Sequence, residues 1–401
     1  MHNLQLYVIV VLFDTRVTWG RDRIIPENAK EKRKHMRKLA RITTVDGFAP
    51  IEGADRIVAA HVGGWTVITP KAAQTDNEDA LFIYLEVDAV VPEKTAVERP
   101  AFQPLMDIKC QDFTLVDEDT ETVFKVRGHR LRTKRIRGVY SQGFLLPIAD
   151  VFTADEINSL DLADGVDVSD ALGIIKYAPA PKEQPNTDGG NGARGKWDDS
   201  LAPKTDAERL QNLTRHWDEI QSLTWMPTLK VDGTSMTVAN DAGQMRVFSR
   251  NLEVGEDNER AIAAKQNGLW AWLEANPGFT VQGELVGEGI QKNRLNIKGR
   301  RVLVFSAWRD GVKLQRSEWP AFLENMGVPV LGDEWMPQRF DTPEALIEAV
   351  NGLRGHIGDG LNEGIVYHLV REPGDTAPLP RWMSSRENFK VVSNKYLAKF
   401  E

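Results

Sequence analysis

Apolar residues recur along this chain in two rhythms. From Lys38 to about Pro147 they come as short runs: Arg41–Val45, Ile57–Val62, Trp65–Ile68 and Ala80–Val87. Gly47, Gly53, the Gly63-Gly64 pair and Pro92 punctuate them. Runs of that length between glycine and proline signals read as strands. So many short strands in about 110 residues predict a small β-barrel. Further on the rhythm is mixed. Leu210, Leu213, Trp217, Ile220 and Leu223 fall on one face of a helix. Thr205-Asp-Ala-Glu208 before them is a capping-box signature, as is Thr153-Ala-Asp-Glu156 earlier. Beyond Met226, Lys230–Asn240 and Gln244–Ser249 predict a hairpin around Asp241-Ala-Gly243. Strands are expected at Thr280–Leu285, Arg301–Trp308, Gly364–Val370 and Phe389–Val392. A helix over 257–273 would turn Ile262, Leu269 and Leu273 inward, and Thr342-Pro343 opens another.

Between the two patterns, Pro179–Asp199 holds three prolines and four glycines and reads as a flexible linker. The expected organisation is an extension outside the fold at 1–35, a barrel at 36–150, a short helix and linker at 151–200, and an α+β domain of antiparallel sheets and helices at 201–401. The apolar run Leu4–Phe13 is shorter than the roughly 20 residues of a membrane span. It lacks a basic flank and a cleavage site, so it does not read as a signal peptide. Met36 is an alternative start.

Composition narrows the partners. With 401 residues, 41% hydrophobic and 27% charged, the chain has room for two soluble domains. A net charge of −8 excludes a global basic field, so nucleic-acid binding needs a local patch. The run Lys125–Arg137 supplies one, with Arg127, Arg130, Arg132, Lys134, Arg135 and Arg137 as candidate phosphate contacts and Leu131 and Ile136 inward. The bland alternative is an edge strand kept soluble by its charges. A single cysteine excludes an internal disulfide framework, and seven histidines without ligand spacing argue against zinc. A cytoplasmic monomer is the expectation.

The candidate chemistry centres on Lys230-Val-Asp232-Gly233. Alone it is a short pattern, and Lys230 has the bland reading of an exposed strand lysine. A lysine is nucleophilic only when neutral, and its ordinary pKa of about 10.4 must be lowered by burial, cations or a metal. Downstream come Ser249-Arg250-Asn251, Glu284 before a glycine-rich turn, Phe305 in an apolar strand, Glu363 at a strand start, and Lys390 and Lys395 near the end.

Their order and spacing resemble the motifs of the covalent nucleotidyltransferase superfamily of ligases and capping enzymes, from residue 226 to 397. The order of the domains resembles the Deinococcus-type RNA ligases, in which an OB-fold domain precedes an ATP-grasp-like nucleotidyltransferase domain. Ile51-Glu-Gly-Ala-Asp-Arg-Ile57, the 130–143 run and Gly173-Ile-Ile-Lys-Tyr177 carry the likeness into the first half. The resemblance implies an ATP-dependent ligase joining RNA 5′-phosphate and 3′-hydroxyl ends at nicks, with Mg2+ or Mn2+. It implies Lys230 as the site of AMP attachment, Glu363 as metal ligand, Glu284 on the ribose, Phe305 on adenine, and Arg250, Lys390 and Lys395 on phosphates. It also implies Asp232 and Gly233 as cofactor-binding residues, and Asp232 either orients Lys230 or binds metal. Lys292-Asn293-Arg294 is either a phosphate grip or a solvated loop. The lysines Lys390 and Lys395 stand further apart than the common Lys-x-Lys, which leaves open which of them touches phosphate. Removing 1–150 is expected to spare self-adenylation. A DNA ligase, a capping-type enzyme and a non-catalytic OB-fold RNA-binding protein are the alternative readings.

Overall fold

In the computed structural model, residues 38–116, 123–179, 193–204, 207–372, 375, 377–383 and 387–400 are described. The expected extension 1–35, the cap at Thr205 and most of the linker lie outside them. The N-terminal half is built from short antiparallel strands. Ala40–Thr43 and Phe144–Pro147 flank Phe82–Leu85. Gly47–Pro50, Ile57–Val62 and Trp65–Pro70 form a meander. Ala89–Pro92 pairs with Val123–Arg130, which pairs with Gln111–Val116. Along Trp65–Pro70 residues 65, 67 and 69 are buried while 66 and 68 are half-buried, the two-residue period of a strand with one face in a core.

The segment after the barrel does not leave it. Thr153 accepts from Glu156 N at the start of the helix Ala154–Ser159, as its capping box requires. Val168, Leu172 and Ile174 then enter the barrel core, and Ile175–Lys176 pairs with Ala89–Pro92. Residues to Lys176 are tied to the N-terminal half by packing, so that unit extends past the expected boundary at 150 and stops short of the stretch read as linker, Pro179–Asp199.

The second half contains two sheets. The larger runs, in spatial order, Ala193–Lys196, Leu252–Val254, Gln244–Phe248, Thr234–Asp241, Phe279–Gly287, Arg300–Arg309 and Val312–Lys313. The smaller runs Glu208–Arg209, Asn388–Val392, Gly364–Leu369 and Trp225–Lys230. The expected strands are present except that Lys230–Asn240 is broken: Lys230 ends a strand of the smaller sheet, and the hairpin strand begins at Thr234 in the larger one. Thr342 caps the helix Pro343–Val350 through Ala345 N at 3.2 Å.

Two helical expectations change. The apolar face from Leu210 to Ile220 is buried, but two single 3-10 turns precede a six-residue helix, Trp217–Ser222. Periodicity reports the buried face and not the continuity of the hydrogen-bond ladder. The helix expected at 257–273 breaks at Gly268, whose φ of +77° is left-handed, and Ile262 is 40% exposed instead of inward.

Candidate active site

Lys230 is the last residue of its strand, where the chain leaves the smaller sheet for the larger one. Residues 231–233 make the crossing and Thr234 begins the neighbouring sheet. Gly233 is required there by space. A Cβ on it would collide with the Leu285 carbonyl oxygen and lie 2.8 Å from Glu284 Cγ. The Lys-x-Asp-Gly pattern is thus the sequence of a tight crossing between two sheets, with the lysine at its mouth.

Cross-strand register decides what shares the lysine's face, since directly paired residues project to the same side. Lys230 pairs with Gly364, Thr228 with Val366 and Met226 with His368. Val366 in turn pairs with Lys390, and Lys390 with Arg209 in the parallel edge strand. Lys230, Lys390 and Arg209 therefore lie on one face. Leu229, Ile365 and Val391 lie on the other and join a buried core. Lys395 is exposed on the C-terminal helix Asn394–Phe400. The face shared with Lys230 is that of Lys390.

From the larger sheet, Glu284 pairs with Ser235 and Leu303. A register shift beside Gln282 and Gly283 leaves Phe305 as the unpaired bulge residue of its strand. The bulge aims Phe305 at the smaller sheet, where it lines a cavity of about 290 Å³ with Met226, His368 and Leu369. His368 Nε2 meets Thr228 Oγ1 at 3.0 Å, and burial, with Lys313 and Arg316 nearby, drops its pKa to about 3, so the imidazole is neutral while Lys313 and Arg316 line the same cavity.

The electrostatics of Lys230 differ from the sequence expectation. Lys230 Nζ donates to Glu363 Oε1 at 2.5 Å. Burial pushes the ammonium down, but Glu363, joined by Glu284 and Asp232, outweighs it and holds the pKa above its ordinary value. Glu284 shows the complementary effect. Burial, opposed by Lys230 and reinforced by the Glu363 and Asp232 charges, pushes its carboxyl up to about 8; Arg250 acts in the lowering direction. Arg250 is exposed at the end of the Gln244–Phe248 hairpin and is felt at Glu284 from there.

Asp232 is held by Arg294, Nη1 to Oδ2 at 3.0 Å. Arg294 is thus neither a solvated loop residue nor displayed for phosphate. No group of three or more His, Cys, Asp or Glu among the described residues could hold a metal by itself. A cation at Glu363 would take its remaining ligands from phosphate and water, which is how Mg2+ is commonly bound.

Sequence reasoning missed Arg209. It is 7% exposed, yet its Nε and Nη1 find no hydrogen-bond partner among the described residues. Its neighbour in register is Lys390, and its Nη2 lies 3.8 Å from Asp88 of the barrel. The signal was absent because a two-residue strand after an irregular stretch has no periodicity to read.

The basic run divides by register. Arg130 turns inward, with Nη2 2.6 Å from Asp88 Oδ1 and its guanidinium 3.7 Å over the Tyr177 ring. It is a barrel residue, which corrects its assignment as a phosphate contact. Arg127 is half-exposed and paired to Glu93 and Asp112. Arg132 is half-buried. Lys134, Arg135 and Arg137 are exposed on the small hairpin formed by Lys134–Ile136 and Val139–Ser141. Leu131 is buried as expected, but Ile136 is 37% exposed because its strand, Lys134–Ile136, is exposed throughout.

The halves touch near the site. Trp65 Nε1 donates to Asn212 Oδ1 at 2.7 Å, and Gly64 N to Gln211 O at 3.0 Å. A Cβ on Gly64 would lie 2.7 Å from Gln211 Cα, so only glycine allows this approach. No helix among the described residues is long and apolar enough to cross a membrane.

An RNA ligase family model matches residues 223–391, and an OB-fold domain model matches 39–148. No curated protein matches the chain by sequence. Among solved structures, an apo variant of Naegleria gruberi RNA ligase is 28% identical, with a TM-score of 0.69 over 90% of this chain and 98% of that one. A variant of the same enzyme with ATP and Mn is 28% identical, with a TM-score of 0.70 over 90% and 99%. A third, with AMP and Mn, is 27% identical with a TM-score of 0.68 over 90% and 99%. With both domains matched in the same order, this chain carries an RNA ligase family domain behind an N-terminal OB-fold domain and resembles the Naegleria gruberi enzyme over nine-tenths of its length.

Proposed function

We propose that the protein seals 5′-phosphate to 3′-hydroxyl RNA ends at nicks in duplexes, using ATP and a divalent cation. The observation that carries this is the shared face of Lys230, Lys390 and Arg209, opposed by Glu284 and Phe305 from the second sheet. One amine, two further cations and an apolar base cavity suit a nucleoside triphosphate.

In this reading the adenine stacks on Phe305, Glu284 meets the ribose, and Arg250, Lys390 and Arg209 hold phosphates. Lys230 Nζ attacks the α-phosphorus in line, the bond to pyrophosphate breaks, and AMP stays on the lysine. AMP then passes to the 5′-phosphate of the nick, and the 3′-hydroxyl displaces it. In-line displacement depends mainly on position and charge. A divalent cation held by Glu363 would neutralise the α-phosphate and compete with Lys230 for that carboxylate, favouring the neutral amine.

The exposed cations Lys134, Arg135 and Arg137 suit the backbone of a duplex beside the cleft. Lys390 takes the phosphate role and Lys395 does not. The protein acts as a cytoplasmic monomer. The test is labelling with α-32P-ATP and sealing of nicks built from every RNA and DNA strand combination. Lys230→Ala must lose all label, and label on that variant would overturn the assignment. Equal sealing of all-DNA nicks would overturn the RNA preference.

A further inference from the structure

Arg294 and the C-terminal helix belong to the nucleophile's setting. The Arg294 guanidinium donates through Nη1 to Asp232 Oδ2 at 3.0 Å and to the Tyr396 hydroxyl at 3.1 Å, and through Nη2 to the Phe400 carbonyl at 3.3 Å. Its carbon lies 5.8 Å from the centre of the Tyr396 ring and 5.0 Å from that of Phe400. Both ends of the contact are sheltered, at 19% exposure for Arg294 and 15% for Asp232. One side chain therefore joins the crossing that follows Lys230 to the helix that follows the Lys390 strand.

The loop that carries Arg294 is held in an unfavourable backbone to do so. Gln291, Lys292 and Asn293 have φ of 43°, 65° and 45°, and Asn296 has 56°. Non-glycine residues in this region cost on the order of 1 kcal/mol or more each and persist where their surroundings fix them. Asn293 clips the loop by exchanging two hydrogen bonds with Ile297, at 2.8 and 2.9 Å. Buried Ile290 and Leu295 anchor it on either side. A solvated loop has no need of four such residues. A loop that must deliver one guanidinium to two elements does.

We propose that Arg294 is a positioning residue for adenylation: it fixes Asp232, and with it the strand end bearing Lys230, relative to the C-terminal helix and the Lys390 strand. The proposal rests on the reading of Lys230 as the nucleophile. It assigns Asp232 an orienting role, and it makes residues 394–400 part of the reacting assembly. The lysine and the α-phosphate it attacks then keep their separation because Lys230 and Lys390 are braced through the same guanidinium.

The experiment uses the full chain, measuring single-turnover transfer of α-32P-AMP to the protein and the KM for ATP. Arg294→Met should slow the transfer about 30-fold or more, with KM within about threefold, because position is lost and ATP binding is kept. Arg294→Lys, which keeps the charge, should recover about tenfold of that loss. Tyr396→Phe should slow transfer about threefold to tenfold and add nothing in the Arg294→Met background, as expected for two groups in one contact. Unchanged rates, a loss confined to KM, or single effects that simply multiply would each overturn the proposal. If circular dichroism shows Arg294→Met unfolded, Tyr396→Phe, which removes one hydroxyl, decides alone. A wild-type chain that takes no label would refute the nucleophile assignment itself, a result distinct from labelled variants with wild-type rates.

Discussion

Glu284 should make the ligase domain less stable as pH rises, and Glu284→Gln should remove that dependence. Burial is the main cause, and it lifts the folded carboxyl from 4.5 to about 8. Between those values the folded state binds a proton that the unfolded chain has released. Stability therefore falls as pH rises through that window and levels off above about 8. At roughly 1.4 kcal/mol per pKa unit the full effect approaches 5 kcal/mol. Screening by solvent and relaxation around Lys230 should reduce the observed part to about 1–3 kcal/mol. Glutamine imitates the protonated acid at every pH. The variant should melt with the wild type near pH 5 and about 2–12 °C above it near pH 8.5, judged by the scaling for a domain of this size. Thermal melts by circular dichroism across that range measure the gap. Parallel curves for the two proteins would refute the argument, because they would mean that Glu284 is already ionised in the fold at neutral pH.

Other outcomes follow from the same geometry. Arg209→Ala should raise the KM for ATP at least tenfold in a self-adenylation assay, since a sheltered guanidinium with two nitrogens that find no hydrogen-bond partner among the described residues is poised for phosphate. Removing residues 1–150, expected from sequence to spare self-adenylation, should instead weaken it, because Asp88 and Trp65 brace the Arg209 segment; label on the truncated chain measures this. Reversing Lys134, Arg135 and Arg137 to glutamate should weaken nick binding and lower its salt slope by about three while leaving self-adenylation intact, by filter binding at several salt concentrations. Thr342→Ala should cost about 1 kcal/mol in a denaturant titration, the usual loss for an N-cap.

Much of this arrangement was legible in the sequence because it depends on local regularities. The strand at Trp65 shows its period of two, Thr342-Pro343 declares a helix start, and the Lys230 crossing needs its glycine. Each is set by neighbours in the chain. Arg209, Arg294 and the inward turn of Arg130 were not legible for a common reason. Their roles are set by Asp88, Asp232 and Tyr177, residues tens to over a hundred positions away, and an arginine carries no mark of whether it will meet solvent, phosphate or a carboxylate. Lys390 and Lys395 show the same limit. Both are lysines near the end of the chain, and only the pairing of Val366 with Lys390 puts one of them on the face of Lys230.

The charge on Lys230 was misjudged for a related reason. Burial alone argues for a neutral amine, but the crossing that buries the lysine also gathers Asp232, Glu284 and Glu363 around it. Three acids near one amine cannot all be ionised cheaply, and the fold divides the cost: Glu284 keeps its proton and Lys230 keeps its charge. Reactivity then depends on what competes for Glu363. In the proposed reaction a cation held by Glu363 would compete with Lys230 for this carboxylate, favouring the neutral amine, and would supply charge for the phosphate. The ion pair at 2.5 Å is in this view a resting state, broken by the same event that brings the substrate's charge under control.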